Sequence, residues 1–295
     1  MAVLALLLAA ACAPDAFRPS PHERYARSLR AAGLDATALG HDWSAAATTV
    51  LAAPTPADLP LRAVLEVPAD KAWAVGYRFA LRRGQRLSVR VTLPPGDSTL
   101  VFADLFDARG PDTSGAPRRL ASAPESPPTL DYEVRRDGPV VLRLQCELLR
   151  GPTLSVRIES GPSLAFPVER SWPGGVISRY GDARAGGRRR HQGIDIAAPR
   201  GTPALAATEG RVTSAGTNPL GGNVVWVFDP ARRLHLYYAH LDRHAVSAGE
   251  RVEAGDTVGL VGTSGNAEGT RPHLHFGIYG PGEGALDPHP FVVGR

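Results

Sequence analysis

The chain changes rhythm along its length, and each change predicts a different kind of element. From His22 to Ala53, Tyr25, Leu29, Ala32 and Leu34 recur near the spacing of a helical face, with Gly33 and Gly40 as punctuation. This predicts one or two short helices, acting as a spacer or a cap, to which no chemistry is assigned. From about Leu61 to Ile158 the period drops to two. The segments RAVLEV, YRFAL, RLSVRVTL, TLVFADLFD, LDYEVRR, PVVLRLQCEL and LSVRIES alternate apolar with polar residues, and Gly, Pro and Asp separate them. Successive side chains of a strand point to opposite faces, so each segment offers one apolar face to a core. Seven or so short strands predict an antiparallel β-sandwich or jelly roll. The stretch SGPSLAFPVERSWPGG, from Ser160 to Gly175, then reads as a linker, and beyond it the histidines concentrate. The expected fold is mainly β: an N-terminal helical segment, a jelly-roll-like antiparallel sandwich, and a second antiparallel β-sheet domain.

Composition adds limits. A length of 295 residues suits two modest domains plus an extension. With 43% hydrophobic and 21% charged residues the chain is globular, which excludes global disorder. The 32 glycines and 27 prolines break it into short segments and favour strands over long helices. The net charge of +4, carried almost wholly by arginine, suits an anionic polymer such as a cell wall. No basic-aromatic motif accompanies it, so nucleic acid is not an expected partner.

The chain opens MAVLALLLAAACAPD, an apolar run ending in small residues and Cys12. It reads as a secretory h-region with a processing site. It resembles a bacterial lipoprotein signal, in which Cys12 would become the lipidated N-terminus; a plain secretory signal is the other reading. The run is shorter than the roughly 20 residues a membrane-spanning helix needs. Membrane attachment is therefore expected only through a lipid, on an exported protein at the periplasmic face of a bacterial membrane. Cys146 lies in a strand-like run and reads as a buried apolar residue. The expected domains are a signal at 1–12, a helical or spacer segment at 13–58, the sandwich at 59–160, a linker at 161–175 and a catalytic domain at 176–295, in a monomer.

Three segments carry candidate chemistry. RRRHQGIDIAAPRGTP supplies His191 and Asp195, LHLYYAHLD supplies His240, and RPHLHFGIY supplies His273 and His275. Residues i and i+2 of a strand share a face, so His273 and His275 stand side by side while Leu274 and Phe276 point into a core. Paired imidazoles pack poorly, whereas zinc accepts imidazole nitrogen and carboxylate oxygen, with three protein ligands and an open position at catalytic sites. His191, Asp195 and one of His273 and His275 would make such a set. The remaining histidine and His240 would sit beside the metal, where an imidazole can act as general base or stabilise an oxyanion.

Residues from about Phe166 to Val292 resemble the lysostaphin-type (LytM-like) zinc endopeptidases of cell-wall peptidoglycan. The likeness rests on HQGIDIAAPRGTPALAATEGRV, on GGNVVWV with LHLYYAHL, and on GERVEAGDTVGLVGTSGNAEGTRPHLHFGIY. It implies zinc held by His191, Asp195 and His275, with His240 and His273 as the catalytic pair, and a peptidoglycan substrate. The order F-x-L-x-x-G-Q-x-L-x-V, LFDARG, DGPVVLRL is similar to small β-sandwich modules that accompany secreted bacterial peptidases. A catalytic tyrosine that some members place just before the first histidine has no counterpart here, because Tyr180 is too far upstream. Arg188, Arg189 and Arg190 occupy that stretch, as a solvated charge run or as a site for a substrate carboxylate. Asn223 and Asn266 are expected at positive φ in Gly-rich turns, and one of Tyr237 and Tyr238 is expected to line the cleft while the other packs. Two other functions remain: a non-catalytic wall-binding activator of a separate amidase, and a zinc peptidase acting on protein.

Overall fold

The structure is a computed structural model describing residues 19–111, 117–169, 175–184 and 186–294. The signal segment and Cys12 lie outside the described residues, as do positions 170–174 of the expected linker. Among the described residues no helix is long and apolar enough to cross a membrane. The chain forms two compact units. One comprises residues up to 81, 87–132 and 137–160, and the other comprises 82–86, 133–136 and the residues from 161 onward.

The first unit opens with α1 (Pro21–Ala31) and α2 (Ala38–Ala52). Ser20 starts α1 with a capping box: its hydroxyl accepts from the Glu23 N–H while Glu23 reaches back to the Ser20 N–H. Gly33, at φ 69°, makes the left-handed turn between the helices. The strands follow as β1 (Thr55–Pro56), β2 (Leu61–Glu66), β3 (Ala74–Leu81), β4 (Gln85–Thr92), β5 (Val101–Pro111), β6 (Pro117–Ser122), β7 (Thr129–Glu133), β8 (Gly138–Cys146) and β9 (Thr153–Pro162). One sheet has the order β1-β3-β8-β5-β6 and the other β2-β9-β4-β7. From β2 to β9 the chain changes sheet at every connection except β5 to β6, which is the eight-strand order of a jelly roll, and β1 adds a parallel edge.

Period-2 burial explains why these segments are strands. Leu87, Val89 and Val91 of β4 and Leu154, Val156 and Ile158 of β9 are buried while their neighbours face out. Strand β6 was not foreseen, since PRRLAS has no apolar alternation; it is held along β5 by backbone pairing. The helices are part of this unit. Leu29, Trp43 and Phe102 form a buried cluster, and the Trp43 indole N–H donates to the Cys146 carbonyl at 2.8 Å. Cys146 is buried and free, and burial pushes its thiol up to about 12.

The second unit holds β10 (Val176–Ser178), β11 (Ala183–Arg184), β12 (Arg189–Arg190), β13 (Ile194–Ala197), β14 (Pro203–Leu205), β15 (Gly210–Asn218), β16 (Gly222–Asp229), β17 (Leu234–His244), β18 (Arg251–Val252), β19 (Thr257–Val261), β20 (His273–Gly280) and β21 (Gly284–Leu286). Its main sheet has the antiparallel path β10-β13-β20-β17-β16-β15-β18, with β19 joining β14 to β17 and β21 beside β20. One face carries the core: Ile194, Ile196, Val225, Val227, Leu236, Tyr238, Leu274, Phe276 and Ile278 are all buried in one cluster. Leu164 and Val168, in the stretch read as linker, also lie in this cluster. That correction has a simple cause: their apolar side chains find a sheet face to cover, and Val168 bridges Ala204.

In the first unit the His22 ring stacks on Trp43 at 4.6 Å, and its Nε2 meets the Gln145 side-chain carbonyl at 2.6 Å. Burial, reinforced by Arg143, holds this imidazole down at about 4 against an ordinary 6.5. Between those values the unfolded chain binds a proton on His22 that the folded unit refuses. Stability therefore falls as pH drops from about 6.5 to about 4, on the order of 2 to 3 kcal/mol. Thermal unfolding at pH 7 and pH 4.5 should show a larger loss for the wild type than for His22→Gln; equal losses would remove His22 from the account.

Candidate metal centre and cleft

The sheet in the second unit places its polar side chains by register. Asp195 on β13 lies directly across from His275 on β20, which in turn lies across from Ala239 on β17. The alternation on β13 and β20 is regular: Ile194, Ile196, Leu274 and Phe276 enter the core, and Asp195, His273 and His275 take the opposite face. His191 precedes β13, with its N–H donating to the Asp182 carbonyl. The result is a tight triangle. His191 Nε2 lies 3.0 Å from Asp195 Oδ1 and 2.9 Å from His275 Nδ1, and His275 Nδ1 lies 3.0 Å from the same Oδ1.

Gly193 makes this approach feasible. A Cβ there would lie 2.4 Å from the Phe276 carbonyl oxygen and 2.8 Å from His275 Cε1. The glycine between the first two candidate ligands therefore clears space for the third.

His240 reaches the cleft by a different device. Leu234, Leu236 and Tyr238 of β17 point into the core, so strict alternation would send His240 there too. Instead His240 adopts φ 62°, rare for a residue with a side chain, and its N–H donates to the Gly221 carbonyl at 2.7 Å. The reversal puts His240 beside Ala239 in the cleft and returns Leu241 to the core. The pairing of β17 with β16 shifts register across this place, and its pairing with β19 shifts just past Leu241. His240 and His273 then face each other with ring centres 5.0 Å apart, and His240 lies 5.9 Å from the His275 ring.

Backbone carbonyls fix the protons on three of these rings. A carbonyl can only accept, so Nδ1–H donates from His191 to Arg179 at 2.9 Å, from His240 to Ser264 at 2.9 Å, and from His273 to Arg271 at 2.8 Å. In the neutral ring each Nε2 then carries a lone pair. For His191 that lone pair is directed at an anionic oxygen, an arrangement that a cation relieves. Burial would raise the Asp195 carboxyl, but the His191 and His275 rings against it hold it well below the usual carboxylate range. Burial pushes His275 down and takes His240 to about 4, so His240 is neutral near pH 7.

The donor set fits a metal. Imidazole and carboxylate at about 2.0–2.2 Å on a tetrahedral centre stand roughly 3.3 Å apart, close to the spacing of the triangle. Among the described residues, His191, Asp195 and His275 form a group able to hold a metal ion. The cleft around them has a volume of about 910 Å³ and includes His240, His273, Trp226, Tyr237 and Asn266 in its lining.

The structure settles several smaller expectations. Tyr237 lines the cleft, while Tyr238 is buried and its hydroxyl accepts from the Ala207 N–H. Neither Asn223 nor Asn266 has positive φ; the adjacent Gly222 and Gly265 take it instead. Asn223 donates to the carbonyls of Leu241 and Asp242, securing the strand just past His240. The Tyr180 hydroxyl donates to the Ala285 carbonyl and is not part of the cleft lining. Sequence reading missed Arg184. Its Nη2 lies 2.6 Å from Asp195 Oδ2 and 2.6 Å from Ser178 Oγ, so Asp195 keeps Oδ1 for the histidines. A lone arginine in a Gly-rich hairpin gives no signal of this role.

A profile described as Peptidase family M23 matches residues 189–288, the stretch that contains His191, Asp195, His240, His273 and His275. This part of the chain belongs to peptidase family M23. Similar proteins include the L-Ala–D-Glu endopeptidase of Bacillus subtilis (strain 168), 39% identical over 43% of this chain and 42% of the relative. The peptidoglycan DD-endopeptidase ShyC of Vibrio cholerae is 41% identical over 30% of this chain and 20% of its own length. The glycyl-glycine endopeptidase ALE-1 of Staphylococcus capitis is 38% identical over 29% and 24%. The chain thus spans less than half the length of these relatives.

The close approach at Gly193 is testable without any metal. Gly193→Ala should lower the thermal midpoint of the metal-free protein by several degrees, for a cost of about 1–3 kcal/mol. Gly216→Ala, whose added methyl meets nothing within 4 Å, should stay near wild type. Equal shifts in the two variants would contradict the packing argument.

Proposed function

We propose that this chain is a zinc-dependent endopeptidase that hydrolyses peptide links of bacterial peptidoglycan. The observation that carries the proposal is the meeting of two sets of groups in one cleft of an M23 segment. His191, Asp195 and His275 offer three donor atoms to one point, and His240 and His273 present paired rings beside them. The activities named for the relatives support the substrate class, and the net charge of +4 suits an anionic wall.

Bound zinc would supply Lewis-acid polarisation of the scissile carbonyl and ease deprotonation of water. The protein's own groups would do the rest. Asp195, held by Arg184 through Oδ2, would orient Oδ1 with the two ligand imidazoles, as outer partners commonly do. One of His240 and His273 would take a proton at Nε2 from the attacking water. The other, protonated at Nε2, would donate to the oxyanion or to the leaving amine. The carbonyls of Ser264 and Arg271 keep both rings in the required orientation. The proposal includes export, with Cys12 as a lipid anchor at the periplasmic face, and action as a monomer.

Purified sacculi incubated with the zinc-loaded protein should release new muropeptides. His240→Ala and His273→Ala should each slow release by about 10²–10⁴-fold while keeping their zinc. An unchanged muropeptide profile with the zinc-loaded wild type would sink the proposal.

A further inference from the structure

The charges lining the cleft are one-sided. Asp195 is the sole carboxylate among the described lining residues, and Arg184 already faces its Oδ2. Three further arginines, Arg189, Arg190 and Arg271, line the same cleft. All three residues are exposed, and among the described residues none has a carboxylate partner. The nearest polar contact of this group is a long one, from Arg190 to the Gly181 carbonyl at 3.4 Å.

A solvated charge run would not give this arrangement. Arg189 and Arg190 come from β12, in the hairpin with β11, whereas Arg271 comes from the loop that leads into β20. Two segments far apart in sequence thus bring uncompensated positive charge to one cleft. Arg271 also anchors the catalytic candidate His273 through its carbonyl and belongs to the lining. A cleft walled by one sign of charge concentrates field lines and raises the local concentration of oppositely charged ligands. Guanidinium is the side chain best matched to carboxylate, because its fork donates two parallel hydrogen bonds.

We infer that Arg189, Arg190 and Arg271 form a carboxylate-reading subsite, which makes the substrate an anionic stem peptide with free carboxylates near the scissile bond. The inference rests on the endopeptidase reading of the same cleft. It excludes as preferred substrates both glycine bridges, which are uncharged along their length, and stem peptides whose carboxylates are masked as carboxamides. The neutral polar groups of Asn218, Asn266 and Thr270 complete the lining without offsetting the charge.

The test uses the zinc-loaded full chain and one preparation of cross-linked stem peptides, half of it amidated with carbodiimide and ammonia. Hydrolysis and equilibrium binding are measured on both forms. The wild type should favour the carboxylate form by about tenfold to a hundredfold in kcat/KM. Arg271→Gln and the double variant Arg189→Gln/Arg190→Gln should each lose most of that preference, chiefly through a raised KM on the carboxylate form. Equal wild-type treatment of both forms, or equal losses on both forms in the arginine variants, would overturn the inference. Binding that favours the carboxylate form without any hydrolysis would uphold the subsite while removing the endopeptidase reading.

Discussion

Asp195 is a buried carboxylate whose Oδ1 faces two imidazole nitrogens at 3.0 Å. Taking such a charge out of water is costly unless positive partners surround it, and burial works against its ionisation. Its compensation is divided by oxygen atom. Arg184 takes Oδ2, and His275 Nδ1 takes Oδ1. The lone pair on His191 Nε2, fixed by the Arg179 carbonyl, makes this a site that a divalent cation would complete. Most other features of the second unit can be understood as means of holding that oxygen and those nitrogens together.

The sheet does the holding. Strand β20 runs between β13 and β17, so a single residue, His275, neighbours Asp195 on one side and Ala239 on the other. Regular pleating delivers the three polar groups of β13 and β20 to one face and packs their neighbours into the core. Gly193 lets the first ligand segment close on the His275 ring. At His240 the pleat is deliberately broken. The left-handed backbone there stores local strain of the kind found at functional sites, and it turns a core-facing position into a cleft-facing one.

This division explains what could be read in advance. The strands of the jelly roll other than β6, and the pairing of His273 with His275, follow from period-2 alternation, which local sequence displays. The spacing from His191 to Asp195, with Gly193 between, also advertises a metal-binding segment. The face on which His240 lies did not follow, because alternation alone assigns it to the core and nothing local marks its positive φ. Arg184 was invisible for another reason: its role depends on a hairpin folding over Asp195, a contact set by tertiary structure. Leu164 and Val168 were misread as linker because their proline-rich neighbourhood outweighed three alternating apolar residues. The arginine run was ambiguous until Arg271, far away in sequence, was found lining the same cleft.

The most direct test of the account is the metal content of the purified protein, measured by plasma mass spectrometry after zinc loading and desalting. The account predicts about one zinc per wild-type chain, and far less in His191→Ala and in Asp195→Ala, since each removes one of three donors. Equal zinc in the wild type and these two variants would contradict the assignment of the triangle as the metal site.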